Sequence, residues 1–454
     1  MTAHTSYPQT NQRHMASARR KPNKFFFMFL LMLYPVLPLN YYIGSLSYAN
    51  ICGIMMVLAF FFFRLKKFDV RVFHEDWPFW QYLVVYALFT FATANALNGL
   101  AWVIADFFAS VSIITSIETK EDFYQAIDGV ILAGVLLGLL GIAESATGTY
   151  LIQGELMAKT DGGVGLRYGI LRCTGPFGSP IDFGLYEAIA IILVKYRLST
   201  DICGRSRKAL KVAYIPLVVS MCLSVSRLAI CICVAAYAIL VLSSRDIRKP
   251  ISVIAFLMLF GCVVVSISEL LGIDLSTLTT ALDDFGSSLA AMLTGQSQSA
   301  TSGVVGFGNR FDLYSWVINY VGKDWLMGLG VKAEFSYALN EWTTKTSIEV
   351  NYLYVFFQCG VIGLASLLVF YIGNLRYAWY HRICHIGGEK CLTFANIALL
   401  IFALYYIALF GVQETDLARF HFELISLLIA YVMISRREQE SGPFPKRQMD
   451  ARNA

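Results

Sequence analysis

The chain has 454 residues, of which 57% are hydrophobic and only 15% charged, and its mean hydropathy is +0.59. So little charge excludes an ordinary soluble domain of this length. The net charge of +5 says little by itself, its distribution says more, and no nucleic-acid partner is expected.

Apolar runs of roughly 18 to 22 residues recur along the chain and fit the hydrocarbon core of a bilayer. The expected fold is therefore an all-α polytopic membrane protein. The first run, "FFFMFLLMLYPVLPLN", follows the basic "RRKPNK" and looks at first like a signal peptide. Pro35 and Pro38 interrupt it and no small-residue cleavage motif follows, so a retained first helix is expected. Window hydropathy gives about 12 spanning segments. They begin near Phe25, Ile43, Phe79, Leu97, Phe123, Ile181, Val212, Leu228, Ile251, Val350, Leu392 and Leu417. The fourth carries Asp106. Cys222, Cys231, Cys233 and Cys262 fall inside these segments, where free cysteine acts as a small hydrophobe rather than part of a disulfide framework.

Basic clusters fix the orientation. They fall at Arg19 to Lys24, Arg64 to Arg71, Arg197 to Lys211, Arg245 to Lys249, Arg376 to Lys390 and Arg436 to Arg447. With the segments above, all of them share one side, the cytoplasm, together with both termini. The expected organisation is a basic cytoplasmic tail (1–24), nine helices (25–271) interrupted by an outer loop (148–180), and a long extracytoplasmic loop (272–349). Three further helices (350–434) and a cytoplasmic tail (435–454) complete it. The first half of the long loop, rich in Ser, Thr, Gly and Gln, reads as a mobile segment. The second half places Phe311, Tyr314, Ile318 and Val321 at helical spacing, with Trp316 and Trp325 nearby. An amphipathic helix on the outer membrane face or packed on the bundle is expected there.

Four features gather on the outer side. Arg227, in "SVSRLAICIC", sits at a tight junction between two helices. It is either a snorkelling side chain or a planar cation suited to phosphate oxygens. Arg310 follows glycines and opens the amphipathic helix, whose free amide groups favour an anion. Its alternatives are a solvated loop Arg or a partner for Asp312. "RYGILRCTGPFGSPIDFGLY" brings Arg167 and Arg172 to a turn marked by Gly175, Gly178 and two prolines. Arg167 reads as an ordinary surface residue there. Glu349 stands at the rim of "EVNYLYVFFQCGVIG", where a carboxylate near cations serves either as a general base or as a pairing and helix-start residue. His381 and His385 have a metal-compatible spacing but no third ligand, and read as cytoplasmic loop residues. "QETDLARFHFE" brings Glu414, Asp416, Arg419 and His421 near the outer rim without a specific signal. No phosphate-cradling glycine loop is present in the sequence, so cytoplasmic nucleotide is not indicated.

In their order and outer placement, "RCTGPFGSPIDFGLY", "SVSRLA", "GNRFDLYSWVINYVGKDWLMGLG" and "EVNYLYVFFQCGVIG" resemble motifs of the O-antigen ligase and O-antigen polymerase superfamily of bacterial envelope glycan assembly. The resemblance covers most of the chain in architecture. It implies a membrane glycosyltransferase of the C type, acting on undecaprenyl-pyrophosphate-linked sugars at the outer face of the inner membrane, without metal, nucleotide or other cofactor. Arg227 and Arg310 would hold the donor's pyrophosphate, assisted by Arg172, and Glu349 would accept the acceptor's proton. Partners would be the lipid-linked oligosaccharide donor and acceptor, membrane lipid and a chain-length regulator. Ligases of the family carry His at the base position, followed directly by Asn. Here Glu349 and Val350 occupy those places and Asn351 comes one later. That difference favours a polymerase of O-antigen, capsule or exopolysaccharide over a ligase. A transporter is the reading from another class, and Asp106 and Glu187 are the residues that would serve it.

Overall fold

The computed structural model describes residues 22–37, 42–43, 46–61, 70–92, 96–152, 165–167, 170–201, 204–242, 308–331, 333–340, 343–345, 348–389, 392–413 and 417–441. These are mostly helical. In chain order the helices are α1 (Pro22–Leu33), α2 (Tyr48–Ala59), α3 (Trp77–Phe91), α4 (Ala96–Ser116), α5 (Lys120–Thr147) and α6 (Pro180–Ser199). There follow α7 (Gly204–Leu223), α8 (Arg227–Leu242), α9 (Gly308–Val321), α10 (Asn351–Tyr380), α11 (Phe394–Ala408) and α12 (Ala418–Ser441). Three short antiparallel strand pairs punctuate them: Tyr42–Ile43 with Leu46–Ser47, Leu166–Arg167 with Ile170–Leu171, and Tyr337–Asn340 with Thr343–Lys345.

Among the described residues, Lys120–Thr147, Asn351–Ile383 and Ala418–Glu440 are long and apolar enough to cross a membrane. Val103–Ser116, Arg227–Leu240 and Phe394–Ala408 are apolar but shorter. All expected segments but the second, seventh and ninth start within three residues of a described helix, and the seventh lies in a helix that begins at Gly204, eight residues before Val212. The second starts at Tyr48 rather than Ile43, because Tyr42 and Ile43 pair with Ser47 and Leu46 in a hairpin. The ninth, from Ile251, lies outside the described residues, as does the expected mobile first half of the long loop.

Local chemistry sets the boundaries. The Thr119 side chain accepts the Asp122 N–H (3.2 Å) and the Asp122 carboxylate accepts the Thr119 N–H (3.1 Å), a reciprocal cap that starts α5. Ser179 caps α6 by accepting the Ile181 N–H (3.1 Å), with Pro180 in the first helical position. The helix α6 is buried continuously from Asp182 to Val194 and packs against α5, α7 and α8. A helix enclosed on all sides is the centre of its bundle, and this one carries the loop before it to a fixed place.

Hydrogen bonds divide the bundle into two ends. At one, Tyr196 and Tyr431 donate to the two oxygens of Glu389 (2.6 and 2.7 Å), and the Asp201 N–H donates to the Gly388 carbonyl (2.8 Å). Glu75 there accepts from Arg436 and from Tyr377 (2.8 Å). Two cations, Arg197 and Arg436, pair with acidic residues of this end, Arg197 with Asp128 (2.7 Å) and Arg436 with Glu75. His381 is buried between Tyr377 and Tyr380, whereas His385 is exposed and approaches Glu389 at 4.0 Å. The two histidines diverge, and among the described residues no group of His, Cys, Asp or Glu is arranged for a metal. Asp76 lies beside Glu75 in the left-handed region (φ 45°), buried, with neither oxygen hydrogen-bonded among the described residues. Burial, and then the Glu75 charge, push its carboxyl up to about 8.

Candidate functional site

The opposite end gathers the finish of α5, the loop before α6, the α7–α8 junction and the start of α10. Glu144, fully buried in the last turn of α5, is its anchor. Its Oε2 accepts the N–H groups of Thr174 (3.1 Å) and Gly175 (2.9 Å), and its Oε1 accepts that of Leu151 (3.2 Å). The turn expected at Gly175 is present, with φ +54° at that residue. One carboxylate therefore ties both limbs of the 148–180 loop to the helix end.

The loop in turn docks on the α7–α8 junction. The Arg172 Nε donates to the Ser224 carbonyl (3.0 Å), and its own N–H donates to the Gly165 carbonyl (2.8 Å). The Cys173 N–H donates to the Leu223 carbonyl (3.3 Å) and its thiol to the Ser220 carbonyl (3.3 Å). Burial, with Glu144 and Glu187 nearby, pushes the Cys173 thiol well above its ordinary range, so it stays protonated and donates. At the junction, Val225 takes φ +48° and the Ser226 hydroxyl accepts the Ala229 N–H (3.4 Å). Arg227 is the first residue of α8 and half-buried. Gly184 of α6 packs against Ser224, Ser226 and Ala229, where a Cβ would come within 2.6 Å of the Ser224 hydroxyl. Arg172 and Arg227 are thus brought to one junction from loops that are distant in sequence. Arg172 is only 7% exposed, so it is interior rather than a surface cation.

Glu349 stands at the same end. The backbone enters α10 in extended form, burying Ile348 and Val350 and leaving Glu349 half-buried between them. The Asn351 N–H donates to the carbonyls of Leu409 and Val412 (3.1 and 3.2 Å), fixing the start of α10 to the end of α11. The Asn351 amide points inward and donates to the Tyr371 hydroxyl (2.9 Å). Arg310 lies in the first turn of α9, and its side chain is outside the described residues, as is that of Arg167.

The helix α9 is amphipathic, but its buried stripe is Leu313, Val317 and Val321, packed with Phe335, Ile348, Val350, Leu353 and Phe357. Of the apolar residues expected at helical spacing, Val321 is buried, Tyr314 half-buried and Ile318 exposed. Phe335, the extended 348–350 stretch and the start of α10, which α9 covers, select Leu313 and Val317, which the sequence spacing did not single out.

Two buried arrangements of charged residues were only partly legible. Asp106 accepts the Tyr34 hydroxyl (3.0 Å) and pairs with Arg419 (3.8 Å), whose guanidinium lies over the Tyr34 ring. Glu187 on α6 and Glu423 on α12 are fully buried, and their carboxylate oxygens have no hydrogen-bond partner among the described residues. The Ser220 hydroxyl approaches Glu187, but its proton goes to the Leu217 carbonyl (3.1 Å). Glu144 was not singled out from the sequence. Its signal was an acidic residue in the last turn of an apolar helix, where the helix dipole opposes it and some other partner must compensate.

No protein-family model matches the chain, and no curated protein matches it in sequence.

Proposed function

We propose that the protein is a membrane glycosyltransferase that polymerises lipid-linked oligosaccharide repeat units at the outer face of the bacterial inner membrane. In this reading about 12 spans carry the site, with the basic end of the bundle in the cytoplasm. The observation that carries the reading is the docking of the Arg172 loop on the Arg227 junction, at the end of the bundle where Glu349 opens α10. Cations held at a helix junction suit a pyrophosphate, and a carboxylate at the same rim suits a sugar hydroxyl.

The acceptor hydroxyl oxygen bonds to the donor's anomeric carbon as the bond from that carbon to the pyrophosphate oxygen breaks. The proton passes to Glu349 and the electron pair leaves with the polyprenyl pyrophosphate. Attack opposite the leaving group inverts configuration. Arg227 and Arg310 offset the charge that grows on the departing pyrophosphate. Arg172, its Nε committed to Ser224, acts by holding the junction that presents Arg227.

Purified protein given a lipid-linked repeat unit tests this. A ladder of lengths on one carrier supports a polymerase. Transfer of glycan to a second acceptor moves the protein to the ligase reading. A specific observation favours a transporter as the second reading: Glu187 and Glu423 are buried carboxylates without hydrogen-bond partners among the described residues, a pattern of ion-coupled pathways. Substrate passage across sealed vesicles without new glycosidic bonds would establish it.

A further inference from the structure

The helix α10 is not continuous. At Gly360 the backbone leaves the helical region (φ 62°, ψ −161°). Such a break frees carbonyls before it and N–H groups after it, and a membrane helix has no water to receive them. Here the segment after α9 pairs with two such carbonyls and two such N–H groups. The N–H groups of Leu329 and Gly330 donate to the carbonyls of Phe357 and Gln358 (both 2.9 Å). The N–H groups of Val361 and Ile362 donate to the carbonyls of Trp325 and Leu326 (2.9 and 3.3 Å). The Gln358 side chain donates to the Val331 carbonyl (2.7 Å), and the Gly328 N–H to that of Asp324 (2.7 Å). The two glycines meet face to face: a Cβ on Gly328 would sit 2.5 Å from the Gly360 nitrogen.

This pairing sets the depth of the loop. Val361 lies ten residues beyond Asn351. At about 1.5 Å per residue that is roughly 15 Å along α10, half the thickness of a hydrocarbon core. The next charge along α10 is Arg376, so the stretch from Tyr352 to Gly373 is uncharged on both sides of the break, and the exposed Lys323 and Asp324 bound the tip on its α9 side. Trp325 and Leu326, bonded to Val361 and Ile362, share their depth. Trp325, Leu326 and Met327 are 53%, 47% and 54% exposed, and they continue the exposed apolar face of α10 at Ile362 and Ile372.

We infer that Trp325–Val331 is a re-entrant element that inserts its apolar tip, Trp325 to Met327, into bilayer hydrocarbon. The partner of this surface is lipid acyl chain, and the exchanged backbone hydrogen bonds are what let an irregular segment lie there. The inference is independent of the polymerase reading: it concerns the half of the long loop nearest α10 and moves it from the aqueous side into the membrane.

The full chain, reconstituted in phosphatidylethanolamine and phosphatidylglycerol vesicles with a lipid bearing a mid-chain diazirine, tests it. After irradiation, adducts are mapped by peptide mass spectrometry. The expected result is carbene adducts on Trp325–Met327 in a yield of the same order as on Ile372, with the Leu329 and Val361 amides protected from hydrogen exchange. Adducts on Ile372 with none on Trp325–Met327 would overturn the inference and put the segment in water. Absence of adducts from both would also overturn it, because α10 itself would then not face the acyl chains.

Discussion

Glu144 holds three backbone N–H groups from a loop that has no regular structure of its own at those positions. Its removal strands the buried Thr174 and Gly175 N–H groups, while exposed Leu151 can turn to solvent. Glu144→Ala is expected to lower stability by roughly 2 kcal/mol, about 1 kcal/mol for each buried orphaned donor. It should also open the 148–180 loop to proteolysis in detergent, and a loop cleaved no faster than in the parent would remove the anchoring role. Asp76 gives the reverse case, a carboxyl that folding keeps protonated. Unfolded it loses its proton near 3.8, and folded at about 8. The stability tied to this group is whole below the lower value and is lost as pH rises toward the upper one. Asp76→Asn removes that titration, and Asn tolerates the left-handed backbone. Its thermal stability relative to the parent is expected to grow between those two values, by up to about 1.4 kcal/mol per pH unit. A difference flat in pH would mean that Asp76 is not the titrating group. Both residues were hard to read from sequence for one reason. What makes them unusual is the identity of their neighbours, and those neighbours arrive from other elements. Asp106 stood out as a charge in an apolar run, but Arg419 and Tyr34 became its partners only through packing.

At the scale of elements, the Gly-x-Gly after α9 and the glycines of "FFQCGVIG" were visible as separate motifs. The fold makes them one joint, in which the two segments exchange backbone hydrogen bonds across Gly328 and Gly360. Gly360 occupies a region of backbone space that is essentially closed to other residues. Gly360→Ala adds that strain to a collision of its Cβ with the Leu326 backbone. The expected cost is roughly 2–5 kcal/mol, the sum of strain and overpacking, read as a fall in Tm of the detergent-solubilised protein. Gly148→Ala is the comparison, since Gly148 has φ +67° but nothing within 4 Å of a Cβ. Its cost is expected to be only about 1 kcal/mol, from backbone strain alone. Equal losses for the two would argue against the joint. The amphipathic character of α9 was legible from spacing, but its phase was not. Helical spacing suggested Tyr314, Ile318 and Val321, while the surface that α9 covers accepts Val321 together with Leu313 and Val317.

For the whole molecule, hydropathy located the helices well because burial in lipid or in protein demands the same apolar runs. It did not separate the two, and α6 illustrates why: it is apolar yet enclosed by α5, α7 and α8. Hydrogen bonds join the 148–180 loop to the α7–α8 junction, and a separate pair joins the α10 start to the residues after α11. The central claim is that the end of the bundle with this junction and the α10 start performs glycosyl transfer. The most direct test is a polymerisation assay on purified protein with a lipid-linked repeat unit, comparing Glu349→Gln and Arg227→Ala with Glu187→Gln and Glu423→Gln. The account predicts a ladder from the parent, a rate lower by about 10²–10⁴ in Glu349→Gln, and a loss of about 10²–10³ in Arg227→Ala. Glu187→Gln and Glu423→Gln should keep the ladder. A ladder that survives both site substitutions, or one lost only when Glu187 or Glu423 is changed, would contradict it.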